Sequence, residues 1–310
     1  MEFISPPFLK KGDTVGIVAP ARKVVPEQIE PAIRLIKSWG LNVITGKNLY
    51  NEYHQFSGTD IQRASDLNEM ISNPGVSAIL CARGGYGTIR LLDLINLREI
   101  QQNPKWIIGF SDITVLHGML NSWYMVETIH GAMPYTFPSD GNDNESTTSM
   151  RKVLFGEAPT YAIPPHPLNR QEKAQGRLIG GNLSIIHSIC RTNADITTDG
   201  KILFIEDLDE YLYHIDRMIM SLKMGRKLKN LAGLVVGGMN DMHDNEVPFG
   251  KNAQEIILDA VKEYGYPVCF DFPAGHGDRN LALIMGREVT LQVNEQGTTL
   301  TFKSSELVSK

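Results

Sequence analysis

At 310 residues the chain is long for one hydrophobic core and fits two domains of roughly 150 residues each. Charged residues make up 21% and hydrophobic residues 42%, which excludes wholesale disorder, and no stretch approaches the ~20 apolar residues that a membrane span needs. With 30 Lys and Arg against 35 Asp and Glu, the net charge is -5; no basic stripe is present to neutralise a phosphate backbone, so nucleic acid is not an expected partner.

The opening MEFISPPFLKKGDT has neither a basic leader before a long apolar segment nor a small-residue cleavage site, which points to the cytoplasm. From Thr14, short β-branched runs alternate with amphipathic stretches. TVGIVAP reads as a strand, Pro26 to Trp39 as a helix, LNVIT as a strand, Asp60 to Ile71 as a helix and VSAILCA as a strand. Thr88 to Leu94 (helix), Lys105 to Phe110 (strand) and Asp112 to Leu120 (helix) continue the rhythm. Such alternation predicts parallel strands with crossover helices, and near-continuous apolar strands predict a sheet covered on both faces.

The composition then turns polar between Pro138 and Thr148, and a second irregular stretch runs from Pro159 to Gln175. These read as the connection out of a first domain, giving residues 1–140, a crossover at 141–175 and a second domain at 176–310. The second part holds RLIGGNLSIIHSIC, the strand KILFIEDL, a helix from His214 to about Leu228, the strand AGLVVGGM and a helix from Ala253 to Tyr264. EVTLQVNEQGTTLTF closes it as a hairpin around Gln296-Gly297. Cys81, Cys190 and Cys269 lie far apart, each in an apolar run; an odd, buried-looking trio argues against disulfides and zinc knuckles.

Several strand ends carry residues with chemistry to offer. In KWIIGFSDITVLHGML a strand ends at Phe110, a helix begins at once, and Ser111 sits at the junction. A hydroxyl there is exposed at the carboxyl edge of a sheet, beside helix N–H groups able to stabilise an oxyanion. Serine at such a junction also serves as a plain helix cap, and the second glycine of the hydrolase elbow pattern is absent. In ILCARGGYGTIRLL, Gly84, Gly85 and Gly87 suit either a tight turn or close backbone approach to a phosphate or oxyanion. The spacing matches neither the dinucleotide fingerprint nor the P-loop. Arg83, beside these glycines, favours a carboxylate or phosphate by bidentate pairing and is the candidate for holding a substrate carboxylate.

Glu206 closes the strand of KILFIEDLDEYLYHIDRM, where a carboxylate can orient a histidine; Asp207, Asp209 and Glu210 read as a charged loop start. His276 lies between two glycines in PVCFDFPAGHGDRNLALIMG, where a structural role competes with a chemical one. The run NDMHDNE, with Asp241, His243, Asp244 and Glu246, has metal-ligand residue types packed too closely for a known spacing, so no metal is expected. A nucleophile, a Gly loop, an acid and a histidine all fall at carboxyl ends of strands, where open α/β sheets bind ligands. Together they point to a serine hydrolase. A noncatalytic binder or a cofactor-dependent enzyme would use the Gly loop for a phosphate, leave Ser111 as a helix cap and give Glu206 and His276 no role.

The set RGGYG, GFSDIT, GGNLS, LFIED and AGHG, in this order over nearly the whole chain, resembles the LD-carboxypeptidases, the murein tetrapeptidases among the serine peptidases. Motif by motif, the resemblance implies Ser111 as nucleophile, Glu206 as acid and His276 as base, with an oxyanion hole from the N–H of Asp112 and of Gly84 or Gly85. It implies an α/β fold: a flavodoxin-like or Rossmann-like parallel-sheet N-terminal domain carrying Ser111, and a mixed-sheet C-terminal domain carrying Glu206 and His276. A homodimer, a murein peptide substrate, no cofactor, and cytosolic release of terminal D-alanine from murein tetrapeptides are also implied. The family includes a branch that inactivates microcin-type peptide-nucleotide antibiotics. Here DLDEYLYHIDRM looks more like the murein branch, and no Trp lies near Glu206 in sequence to stack on an adenine.

Overall fold

The structure, a computed structural model, describes residues 3–304; the first two residues of the opening segment lie outside them. The first half runs β1 (Thr14–Val18), α1 (Pro26–Ser38), β2 (Asn42–Thr45), α2 (Asp60–Ser72), β3 (Val76–Cys81), α3 (Glu99–Gln102), β4 (Trp106–Gly109), α4 (Thr114–Met119) and β5 (Thr128–His130). The five strands are parallel in the order β2-β1-β3-β4-β5, the flavodoxin-like doubly wound order. Their residues explain this: β4 is buried throughout, while α1 turns Ile29, Ala32, Leu35 and Ile36 inward at helical spacing. The predicted helix over 88–94 is a 3-10 turn at Thr88–Leu91, followed by turns rather than by a continued helix.

The chain continues through α5 (Glu145–Leu154), β6 (Thr160–Ile163), β7 (Glu172–Asn182), α6 (Leu183–Ile189), β8 (Ile202–Leu208), α7 (Leu212–Met224), β9 (Gly233–Asn240), α8 (Ala253–Val261), β10 (Val268–Cys269), β11 (Leu283–Met285), β12 (Glu288–Asn294) and β13 (Gly297–Phe302). A second, seven-stranded sheet has the order β10-β9-β8-β7-β12-β13-β6. It is parallel from β10 to β7 and antiparallel from β12 to β6. β7 serves both parts, pairing with β12 through Glu172–Arg177 and with β8 through Leu178–Asn182.

Parts of this differ from the pattern-based expectations. The stretches at 138–148 and 159–175 contain the start of α5, all of β6 and the start of β7. β6 and the first residues of β7 are largely exposed, and antiparallel strands with one wet face carry polar residues that read as loop. The hairpin closes on the pair Asn294 and Gly297, so its loop is Glu295-Gln296, one residue earlier than predicted. The first sheet is not wholly parallel, since β11 joins β5 antiparallel.

One apolar cluster runs through both sheets, with Trp106, Ile108 and Ile129 from the first and Phe204, Val235 and Leu291 from the second. The Arg287 guanidinium, just before β12, also grips Glu127, just before β5, through Nε to Oε1 at 2.8 Å and Nη2 to Oε2 at 2.5 Å. Both side chains are at most 6% exposed. Removing one charge of such a pair strands the other, so Glu127→Gln is expected to cost about 3 kcal/mol of stability, read as a lower urea midpoint. No helix among the described residues is long and apolar enough to cross a membrane.

Candidate active site

β3 and β4 are neighbours and end at the same sheet edge, so the loops that follow them meet. After β4, Phe110 is extended and Ser111 adopts φ 61°, a left-handed backbone that is costly for a residue with a side chain. A 3-10 turn at Ser111–Ile113 then leads into α4, and its first N–H groups, that of Asp112 among them, have no partner within the helix. After β3 comes the Gly loop. A Cβ on Gly84 would lie 2.9 Å from Ser111 Cβ and 3.1 Å from Ser111 Oγ, so only glycine lets this backbone come so close to the hydroxyl.

The two loops are tied together from behind. Thr88 N–H donates to Asp112 Oδ2 at 2.8 Å, and the buried Arg63 guanidinium donates to the carbonyls of Pro20 and Gly87. Burial pushes the Asp112 carboxyl up, against the pull of the Thr88 N–H and the Arg63 and Arg22 charges.

Glu206 ends the apolar run of β8 and is fully buried. Its Oε2 accepts from His276 Nδ1 at 2.7 Å and from the His276 backbone N–H at 3.2 Å. The His276 ring stands edge-on to Phe110 at 4.8 Å, the residue before Ser111. Burial works against the imidazolium, but the bond to Glu206, with the charges of Glu206 and Asp207, outweighs it and raises the His276 pKa above the ordinary histidine value. Asp207 sends its carboxylate elsewhere, accepting from Asn182 Nδ2 at 3.0 Å and Ser184 N–H at 2.9 Å at the start of α6. Burial and the neighbouring Glu206 charge push it up to about 7.

A cleft of about 400 Å³ brings Arg83, Gly84, Gly85, Ser111 and His276 to one surface; the completely buried Glu206 stands behind the histidine. Asp112 keeps its side chain buried beneath the Gly loop, so only its backbone N–H remains for a ligand. Sequence reasoning gave no role to Asn182, whose N–H donates to Thr114 Oγ1 at 3.0 Å and whose side chain caps α6. Through it the second sheet is fastened to the helix that follows Ser111. An Asn at a strand-to-helix junction is the signal that marks it. Arg22, which also lines the cleft, had no local signal. His243 pairs with Asp209 at 2.5 Å and Asp244 accepts from the N–H of Phe249; among the described residues no group of three or more His, Cys, Asp or Glu is placed to hold a metal.

The fold is α/β, and its cleft brings the Ser111 hydroxyl, at the end of β4 in the first sheet, to the same surface as His276, which is held by Glu206 from β8 of the second sheet. The chain belongs to the LD-carboxypeptidase family, whose N-terminal domain model matches residues 15–131 and whose C-terminal domain model matches residues 175–291. It is 37% identical to the probable murein peptide carboxypeptidase of Bacillus subtilis, over 97% of this chain and 95% of that protein. It is 25% identical to the microcin C7 self-immunity protein MccF of Escherichia coli, over 94% of each. The crystal structure of muramoyltetrapeptide carboxypeptidase from Oxalobacter formigenes superposes with a TM-score of 0.86 at 24% identity, covering 94% of this chain and 99% of that one, which shows the shared fold.

Proposed function

We propose that this protein is a serine carboxypeptidase that cleaves the L,D peptide bond releasing terminal D-alanine from murein tetrapeptides. The observation that carries the reading is the bond from His276 Nδ1 to the buried Glu206 at 2.7 Å, at the back of the cleft that holds Ser111. With Nδ1 committed to the carboxylate, Nε2 is the nitrogen left to take the Ser111 proton. Ser111 Oγ attacks the scissile carbonyl, and the N–H groups of Asp112 and of Gly84 or Gly85 stabilise the oxyanion. His276 then passes the proton to the leaving amine, D-alanine departs, and water attacks the acyl-enzyme by the same route. This reading places the reaction in the cytoplasm, in a homodimer, where released wall peptides are reclaimed.

The murein reading is favoured over the microcin one by the lining of the cleft. Its aromatic residues include Phe110 and Tyr135; Phe110 packs on His276, Tyr135 already carries the Arg83 guanidinium on one face, and among the described residues no tryptophan is in the lining to stack on a nucleobase. Mass spectrometry of a murein tetrapeptide before and after incubation tests the proposal: loss of one alanine is expected, and an unchanged peptide overturns it.

The pH profile follows from the histidine. Its neutral form must accept the serine proton, so kcat/KM is expected to fall as pH drops through a pKa lying above about 6.5. In Glu206→Gln the raising influence of Glu206 is gone while burial remains, so the midpoint of that limb moves to lower pH. A wild-type profile that stays flat down to about pH 5 contradicts the assignment of the base.

A further inference from the structure

The arginines around the Gly loop fall into two groups. Away from the cleft lining, the buried Arg63 and the exposed Arg90 share the Asp60 carboxylate, and Lys23 is paired with Glu52. Arg22 and Arg83 line the cleft beside Ser111, and neither has a carboxylate partner among the described residues. Unpaired guanidiniums on one wall of a cleft are poised for an anion.

Both are built into place. Gly85, at φ 106°, forms a saddle for the Arg22 side chain: a Cβ there would lie 2.6 Å from Arg22 Cδ and 2.9 Å from its Nε. The Arg22 backbone bridges Phe56, and the carbonyl of the next residue, Lys23, accepts from Arg83 Nη1 at 3.4 Å. Arg83 in turn lies over the Tyr135 ring, its Cζ 4.0 Å from the centroid, a cation–π contact that holds the fork while leaving N–H donors free. Asp207 and Asp209 also line the cleft, but Asp207 is turned to Asn182 and Ser184 and Asp209 to His243, which leaves the guanidiniums as the unpaired charges of the lining.

We propose that Arg22 and Arg83 together form a clamp for the free C-terminal carboxylate of the peptide, fixing its direction across Ser111 and admitting only the last peptide bond. The inference rests on the carboxypeptidase reading and deepens it by naming Arg22 as a specificity-determining residue. A peptide extended or amidated at its end would place a neutral group against two guanidiniums, leaving their charge unmatched.

The test compares kcat/KM on a murein tetrapeptide with a free C-terminus and on the same peptide as its C-terminal amide, for the wild type, Arg22→Met and Arg22→Lys. The wild type is expected to prefer the acid. Arg22→Met is expected to lose about 10- to 100-fold on the acid and nothing on the amide, because a charge-assisted hydrogen bond is removed from one substrate only. Arg22→Lys recovers part of the loss. Equal losses on both peptides would assign Arg22 to supporting the loop and overturn the clamp, as would full activity of Arg22→Met on the acid or a wild type indifferent to the two ends. A wild type that cleaves neither peptide overturns the carboxypeptidase reading and the clamp with it.

Discussion

Replacing Ser111 with alanine is expected to lower kcat on a murein tetrapeptide by about 10⁴-fold or more, the scale of loss when the nucleophile of a serine triad is removed. The fold should survive. The hydroxyl faces a cleft, so its removal leaves no cavity in the core, and alanine pays the same backbone cost as serine at φ 61°. That backbone supplies a second, independent reading. Glycine tolerates the left-handed region without penalty, so Ser111→Gly should be about 1 kcal/mol more stable than Ser111→Ala while equally inactive. Thermal melts and turnover on the same preparations check both statements. Full activity in a folded Ser111→Ala protein would remove Ser111 from the mechanism.

The second large effect separates adjacent carboxylates. Glu206→Gln keeps the size of the side chain but removes the charge that supports the His276 imidazolium, and the amide can select the wrong tautomer; kcat is expected to fall by roughly 10² to 10⁴. Asp207→Asn acts on different partners. Asp207 accepts N–H bonds from Asn182 and Ser184 and from its own neighbour Leu208, so an amide NH₂ turned toward these donors costs about 1 to 3 kcal/mol of stability. Its effect on kcat is expected to be much smaller than that of Glu206→Gln, and the acid limb of the profile should move only slightly to lower pH, because the Asp207 charge is the smallest of the influences that raise the His276 pKa. Circular dichroism melts and kinetics on one tetrapeptide distinguish the two. Were Asp207→Asn inactive while folded and Glu206→Gln close to wild type, the acid would be misassigned by one residue.

Much of the scaffold around these residues is legible in local pattern. The β-branched runs of β1 and β3 and the apolar stripe of α1 have periods that admit one reading, and their burial follows it. Where burial is one-sided the pattern fails, as in β6 and the start of β7, because exposed strand residues are chosen for solubility and pairing rather than for a core. The antiparallel docking of β11 on β5 joins Leu283 to His130, a contact across some 150 residues that leaves no trace in either segment alone.

The candidate site divides in the same way. Ser111, Glu206 and His276 each stand at the end of an apolar run, and the Gly loop follows another, so the sequence by itself marks strand ends as the place for chemistry. Which of these ends meet was decided by tertiary structure alone. The histidine reaches Glu206 across 70 residues, the Gly loop reaches the serine turn through Thr88 and Asp112, and Arg22 reaches the cleft by lying over Gly85. Ser111's left-handed backbone is likewise imposed from outside, since serine has no intrinsic preference for it and the packing of Gly84 against the turn holds it there. Local sequence determines periodicity because neighbours along the chain share one strand or helix. Catalytic geometry depends on distances between elements, and those are set by how two sheets bury a common core.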